Sequence, residues 1–299
     1  MATERPGPGD PRNGKDRHFA NPAAEDWSNY HAEVKGYKID QDDQKSRIYL
    51  PNGDFYIPSS GELLIINGEV VMDTAEFPWA ERLANMVIDE EAKDVSGPLI
   101  ILEVGFGLGL TAGRFIRKLV GREEGGEYHF IELNKDVYQR GLDFKKKWER
   151  RFIEMAKDPG QSKPNVKIVP HFGDAAEVLP ELIQTMEGQV WHTTVDTYPI
   201  EEGQRGINDL LYGSYINRLL VRKKEGRKGG MMAWFPFYPG SDNPEGITSK
   251  QFQIAHEEFD IITSVQVHGV KPSRNNPNLW IAGEPATTLP IGICKDPKN

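Results

Sequence analysis

The chain has a single cysteine, Cys294, which excludes an internal disulfide framework and a cysteine-rich zinc site. No apolar stretch approaches the roughly 20 residues needed to span a bilayer. The first residues, MATERPGPGDPRNGKDR, lack the apolar core of a secretory signal. These absences point to a reducing cytoplasm and away from a membrane. Positive charge is also short: 36 Lys and Arg stand against 45 Asp and Glu, for a net charge of −9. That argues against a nucleic-acid-binding surface, leaving only local basic patches. The basic run Arg222-Lys223-Lys224 with Arg227-Lys228 reads as a solvated helix end. The seven histidines have no H-x-x-x-H spacing, so no metal is expected. No internal repeat is present.

What the chain does have is ordered punctuation. Residues 1–17 are rich in Pro, Gly and charge and read as a disordered tail. Residues 18–96 read as a β-hairpin and helix extension on the lid or substrate side. Within it, Asn52-Gly53 and Asn67-Gly68 each sit between alternating apolar residues, the signal of a type I′ hairpin. A helix is expected from Pro78, with Leu83, Met86 and Val87 on one face. From residue 97 to 299, strands alternate with helices. The predicted strands are LIILEV, EYHFIE, VKIVPH, VWHTTVD and GMMAWFP; the helices are 110–121, 135–156, 175–187, 207–224 and 248–258. Two last strands, IITSVQVHGV and NLWIAGE, are joined without a helix. The alternation predicts an α/β fold, a mostly parallel sheet with helices on both faces and an antiparallel last strand. Five βα units and a final hairpin is the layout of class I S-adenosylmethionine (SAM) methyltransferases, a Rossmann-like sheet of order 3-2-1-4-5-7-6.

The segment Leu99–Arg114, LIILEVGFGLGLTAGR, carries the strongest signal. An apolar strand ends in Glu103. Gly105, Gly107 and Gly109 follow, with Phe106 between the first two, and Leu110 opens a helix. Such a loop lets a nucleotide-like ligand approach the backbone at a helix N-terminus. Glu132 closes the next strand, where an acid accepts hydrogen bonds from ribose hydroxyls in both SAM and dinucleotide proteins. Glu103 two residues before the first glycine and the final strand pair favour SAM over NAD. The alternative is that the glycines only permit tight strand–helix packing. After the third strand, Gly173-Asp174-Ala175 falls where this fold meets adenine; Asp174 is equally a plain N-cap. Asp196 ends the fourth strand at the carboxyl edge, where open α/β sheets bind ligands. Tyr198 and Pro199 stiffen the turn after it. Asp196 as a simple capping residue is the plainer alternative.

Four motifs in order then resemble one family. Val195-Asp196-Thr197-Tyr198-Pro199 is similar to the D-T-Y-P signature of guanidinoacetate N-methyltransferase and the yeast-type arginine δ-N-methyltransferases. Leu102-Glu103-Val104-Gly105-Phe106-Gly107 matches their L-E-V-G-F-G loop. Ile131-Glu132-Leu133-Asn134, with Val137 and Gln139-Arg140, resembles their I-E-x-N…V-x-Q-R. Val71-Met72-Asp73-Thr74-Ala75-Glu76-Phe77-Pro78 resembles their V-M-E-x-x-E-x-P. The resemblance covers roughly residues 70–295.

It implies SAM as cofactor, a substrate-binding glutamate at Glu76 and a catalytic aspartate at Asp196. Two carboxylates hold a planar, permanently charged guanidinium in bidentate fashion. The plainer reading of Glu76 is a charge near a helix N-terminus. The resemblance further places Asn134 and Met72 at the cofactor, and Trp27 over it, although Trp27 is also a candidate core aromatic. Ala80 stands where the family has a second methionine. Phe237 and Tyr238 fall where family amides hold the substrate carboxylate, but Pro236 and Pro239 have no N–H to give, so the substrate's tail differs. The expected activity is N-methylation of a small guanidino compound by a monomer or homodimer. The alternatives are an aminopropyltransferase of the spermidine synthase type, a SAM-binding protein without catalysis and, more remotely, an NAD enzyme.

Overall fold

The computed structural model describes residues 27–38, 48–49, 55–56, 60–158, 163–196, 215–222, 229–234, 259–268 and 286–294. The tail 1–17, the turn at Asn52-Gly53, Tyr198, Phe237, Tyr238, the expected helix 248–258 and most of 207–224 lie outside these residues.

The apolar run Leu99–Val104 forms β6, the middle of a seven-stranded sheet. Its side chains are apolar on both faces because both faces are covered, as in parallel sheets. β7 (Gly126–Glu132) and β8 (Val166–Phe172) lie to one side. β9 (Val190–Val195) and β10 (Met231–Trp234) lie to the other. All these pairings are parallel. β12 (Ala286–Cys294) then runs antiparallel between β10 and β11 (Phe259–His268). The spatial order is β11-β12-β10-β9-β6-β7-β8. Counted from β6 as strand one, this is 3-2-1-4-5-7-6, the order expected from the sequence.

The last described strand is ATTLPIGIC; the expected strand NLWIAGE lies outside the described residues. Pro290 and Gly292 read as breakers in a sequence scan. In the sheet, β10 pairs only with Ile291–Ile293, so Pro290 sits just past its reach, opposite Ser264 of β11.

Helices cover both faces. α1 (Phe77–Ala84), α2 (Leu110–Val120) and α3 (Lys135–Met155) enclose one core with Ile101, Phe115, Ile116, Tyr128 and Phe130. α4 (Ala175–Met186) closes the other over Leu102, Val104, Ile131, Leu179 and Ile183. In α2 the buried positions 111, 112, 115, 116 and 119 trace one helical stripe.

The N-terminal extension is a three-stranded antiparallel sheet, β1 (Ala32–Lys38), β4 (Ser60–Ile66) and β5 (Glu69–Asp73), in the order β1-β4-β5. Two further short strands, β2 (Ile48–Tyr49) and β3 (Phe55–Tyr56), pair antiparallel around the first Asn-Gly. Asn67 and Gly68 both have positive φ, 52° and 79°, as a type I′ turn requires. After β5 a 3-10 turn, Thr74–Glu76, leads into α1, which has proline in its first turn as expected. The helix then widens into π geometry over Asn85–Glu91, closed by Ala92 N–H on Val87 O at 3.1 Å. Leu64, Met72 and Leu83 share the core of the main sheet, so the extension is packed onto it. Arg114 of α2 locks α1 in place, pairing with Glu81 at 3.1 Å and lying over the Phe77 ring at 3.8 Å.

Candidate active site

Val104 N-terminal to the glycine loop and Val195 before Asp196 are register partners, so β6 and β9 end side by side. The Asp196 amide donates to Val104 O at 2.8 Å, and the Gly105 amide to Ile131 O at 2.9 Å. The ends of β6, β7 and β9 thus meet at the carboxyl edge. The order reverses here, with β7 on one side of β6 and β9 on the other. That is the crevice in which open α/β sheets bind ligands.

The glycine loop is built from backbone. Gly107 and Gly109 have φ of 53° and 71°, a region that costs other residues about 1–2 kcal/mol. A Cβ at Gly107 would lie 2.5 Å from the Met72 sulfur, and one at Gly109 would lie 2.7 Å from the Phe106 ring. Met72 is therefore folded against the loop, and the Leu108 amide donates to its sulfur at 3.0 Å. Phe106 is buried against Phe130 and Phe144 and anchors the loop from below. Leu110 is the first residue of α2.

Glu132 ends β7 beside this crevice, with both oxygens held by backbone amides. It accepts the Phe106 amide at 3.0 Å and the Asn134 amide at 2.8 Å. Burial raises its carboxyl above the ordinary range, and these amides hold the rise back. Asn134 spends its side chain on protein. Its Oδ1 caps α3, accepting from Asp136 and Val137, while its Nδ2 donates to Trp27 O at 2.9 Å and Tyr30 O at 2.8 Å. Its second effect is thus to clip Trp27 beside the loop after β7. Trp27 stacks edge-on with Tyr30 at 5.7 Å. Asp136 adds to the clip by accepting the Ala32 amide at 3.0 Å. Gly173 donates to Glu132 O at 3.0 Å, which puts the Gly173-Asp174-Ala175 corner next to Glu132. Asp174 caps α4 through Ala176 N–H at 2.8 Å, and Ala175 is buried.

Four acids crowd the crevice. Glu103 is buried and accepts the Tyr128 hydroxyl on Oε2. Burial, then the nearby Asp196 charge, push it well above the ordinary carboxyl range. Glu76, from the turn before α1, is also buried; its Oε1 accepts the Asp73 amide at 3.0 Å. Burial first, then the Asp196 charge, raise Glu76 well above the ordinary range. Asp196 is pushed up to about 7 by burial and by the charge of Glu132. Its Oδ2 is fully shielded and has no hydrogen-bond partner among the described residues. No lysine or arginine among those residues pairs with Glu76 or Asp196. A pair of buried carboxylates without a cation is costly, and what it suits is a cationic ligand.

The structure therefore brings Met72, Glu76, Glu103, Gly105, Phe106, Gly107, Gly109, Leu110, Glu132, Asp196 and the 173–175 corner to one end of the sheet, with Trp27 clipped at its border by Asn134. Tyr128, Thr111 and Asp73 also belong to this cluster. Tyr128 and Thr111 carry no local motif; only the pairing of β6 with β7 and the start of α2 reveal them.

No family model matches the chain, and no curated protein matches it. Solved structures do. The O-methyltransferase from Bacillus cereus in complex with SAH is 14% identical, over 74% of this chain and 80% of that one, with a TM-score of 0.41. MNMC2 from Aquifex aeolicus is 13% identical over 93% and 79%, with a TM-score of 0.42. The CurJ carbon methyltransferase is 14% identical over 74% of this chain, with a TM-score of 0.43; this chain spans 54% of its length. The class I methyltransferase fold stands on the sheet itself: five parallel strands in the order given and an antiparallel strand inserted beside the fifth. Among the described residues no helix is long and apolar enough to cross a membrane.

Proposed function

We propose that the protein is a SAM-dependent methyltransferase that N-methylates the guanidino group of a small molecule, such as guanidinoacetate, arginine or a related guanidino acid. One observation carries this reading. Glu76 and Asp196 lie 120 positions apart in sequence, yet come together as shielded acids beside the glycine loop, and no cation among the described residues pairs with either.

The crevice fits the cofactor. Glycines at 105, 107 and 109 leave the loop backbone without side chains between it and a ligand, and Glu132 stands at the ribose position. The loop Gly105–Gly109, Met72, Glu132 and the Gly173–Ala175 corner would hold it, with Trp27 at the border. When bound, SAM supplies an electrophilic methyl group on a sulfonium. Glu103, fixed by the Tyr128 hydroxyl, lies beneath the loop.

The acceptor is held by the two acids. Glu76 and Asp196 receive N–H donors from the guanidinium fork and set its plane. Free guanidinium has a pKa of about 12.5–13.8, so its nitrogen is a poor nucleophile until a proton leaves. Asp196 takes that proton as the N–C bond forms. Its raised pKa of about 7 suits a base that works near neutrality. The shielded Oδ2, with no donor among the described residues, has room in its bonding for the proton. Orientation supplies much of the remaining acceleration.

The test is mass spectrometry of reactions with SAM and, separately, guanidinoacetate, arginine, a guanidino-acid series and an arginyl peptide. One added methyl on a guanidino compound is expected. Methylation of none of them, with SAM bound, would overturn the guanidino reading.

A further inference from the structure

Glu76 is held from behind by a network that no motif announced. Its Oε1 accepts the backbone amide of Asp73, the last residue of β5, at 3.0 Å. The Asp73 carboxylate is itself buried and accepts the Tyr37 hydroxyl at 2.5 Å. Tyr37 belongs to β1, on the far side of β4. It reaches Asp73 across Gly61, its register partner, where a Cβ would lie 2.2 Å from the tyrosine ring. The same Cβ would lie 2.7 Å from Oγ1 of Thr74, which accepts the Glu62 amide at 2.9 Å. A tyrosine and a threonine thus converge where β4 carries no side chain and pin the turn from which Glu76 projects.

The charges make this pinning matter. Among the described residues, the ionisable groups that act on Glu76 are Asp196 in front and Asp73 behind. The Tyr37 hydroxyl bond sets the direction in which the Asp73 carboxylate points.

We infer that Tyr37 and Asp73 are positioning residues of the acceptor site: the tyrosine hydroxyl anchors Asp73, and the Asp73 amide fixes the Glu76 carboxylate towards Asp196. This rests on Glu76 being the acceptor-binding acid proposed above. Tyr37→Phe removes one hydroxyl and keeps the ring. A hydrogen bond to a charged group is being lost, so the acceptor KM rises about 10-fold while kcat and the KM for SAM stay close to wild type. Asp73→Asn keeps an oxygen for Tyr37 but removes a charge that raises Glu76. It moves the low-pH limb of kcat/KM to lower pH, which a general packing defect would not do.

The experiment measures steady-state kinetics of wild type, Tyr37→Phe, Asp73→Asn and Glu76→Gln with guanidinoacetate or arginine, whichever the wild type methylates. SAH affinity by calorimetry reports that each variant is folded. A raised acceptor KM in Glu76→Gln with wild-type kinetics in Tyr37→Phe and an unmoved limb in Asp73→Asn overturns the positioning role and leaves the function standing. An unchanged acceptor KM in Glu76→Gln, or no turnover by the wild type, overturns the function and this inference with it.

Discussion

Replacing Asp196 with asparagine separates the chemistry of the site from the stability of the fold. The two side chains have the same shape, so the crevice keeps its geometry. What goes is the proposed proton acceptor and one negative charge. Loss of a positioned general base lowers turnover by about 10²–10⁴-fold. The stability should move the other way. Folding raises Asp196 from its ordinary 3.8 to about 7. Between these values the folded state holds a proton that the unfolded chain gives up. Stability from this group is therefore lost as pH rises from about 4 to 7 and stays lost above that. The difference corresponds to about 4 kcal/mol at full extent. Asparagine carries no such penalty. The variant should melt several degrees above wild type at pH 8, and the gap should close towards pH 4. SAM affinity should hold. Turnover by mass spectrometry and thermal melts across pH 4–8 read both effects. Wild-type turnover would remove Asp196 as the base, and a melting difference independent of pH would refute the burial argument.

Other consequences are as direct. With Asp196 at about 7 and Glu76 raised in the same sense, kcat/KM should fall as pH drops through about 7, because the acids then carry protons and neither hold a cation nor accept its proton; a flat profile from pH 5 to 8 would contradict this. Gly109→Ala places a methyl 2.7 Å from the Phe106 ring at a φ of 71°, which should cost about 1–3 kcal/mol by chemical denaturation and weaken SAM binding measured by calorimetry. Asn134→Ala removes the α3 cap and both bonds to the 27–30 segment. It should cost about 0.5–2 kcal/mol through the cap alone and expose that segment to limited proteolysis, with a change in tryptophan fluorescence.

How far the sequence led depended on the range of the interactions involved. Strand β6 was readable to the residue because burial on both faces leaves it apolar at every position but Glu103. The type I′ turn at Asn67-Gly68 was readable because positive φ at two successive residues admits few others. The strand Ala286–Cys294 was not read because Pro290 and Gly292 interrupt its local pattern, and its place beside the short β10 is set by tertiary pairing. β1 was missed since AEVKGYK is an edge strand whose side chains are mostly exposed or half-buried. The site divides the same way. Glu132 and Asp196 sit at strand ends and announce themselves by position.

The pairing of Glu76 with Asp196 is of a different kind. Glu76 looks locally like an acid before a helix, and the dipole of α1 would account for it on an exposed surface. The structure removes that account. Glu76 is buried, its Oε1 is tied to the Asp73 amide, and its principal charged neighbour is another acid. A dipole term of about 0.3–1 kcal/mol does not offset the burial of a carboxylate against a second one. Such an arrangement persists when the surrounding fold holds it for a ligand that supplies the missing charge. Glu76→Gln tests this by its sign. If the acid serves only the helix, the variant loses a few tenths of a kcal/mol and keeps its activity. If it serves a cation, the variant gains stability at pH 8, as Asp196→Asn does, and loses its hold on the guanidino acceptor.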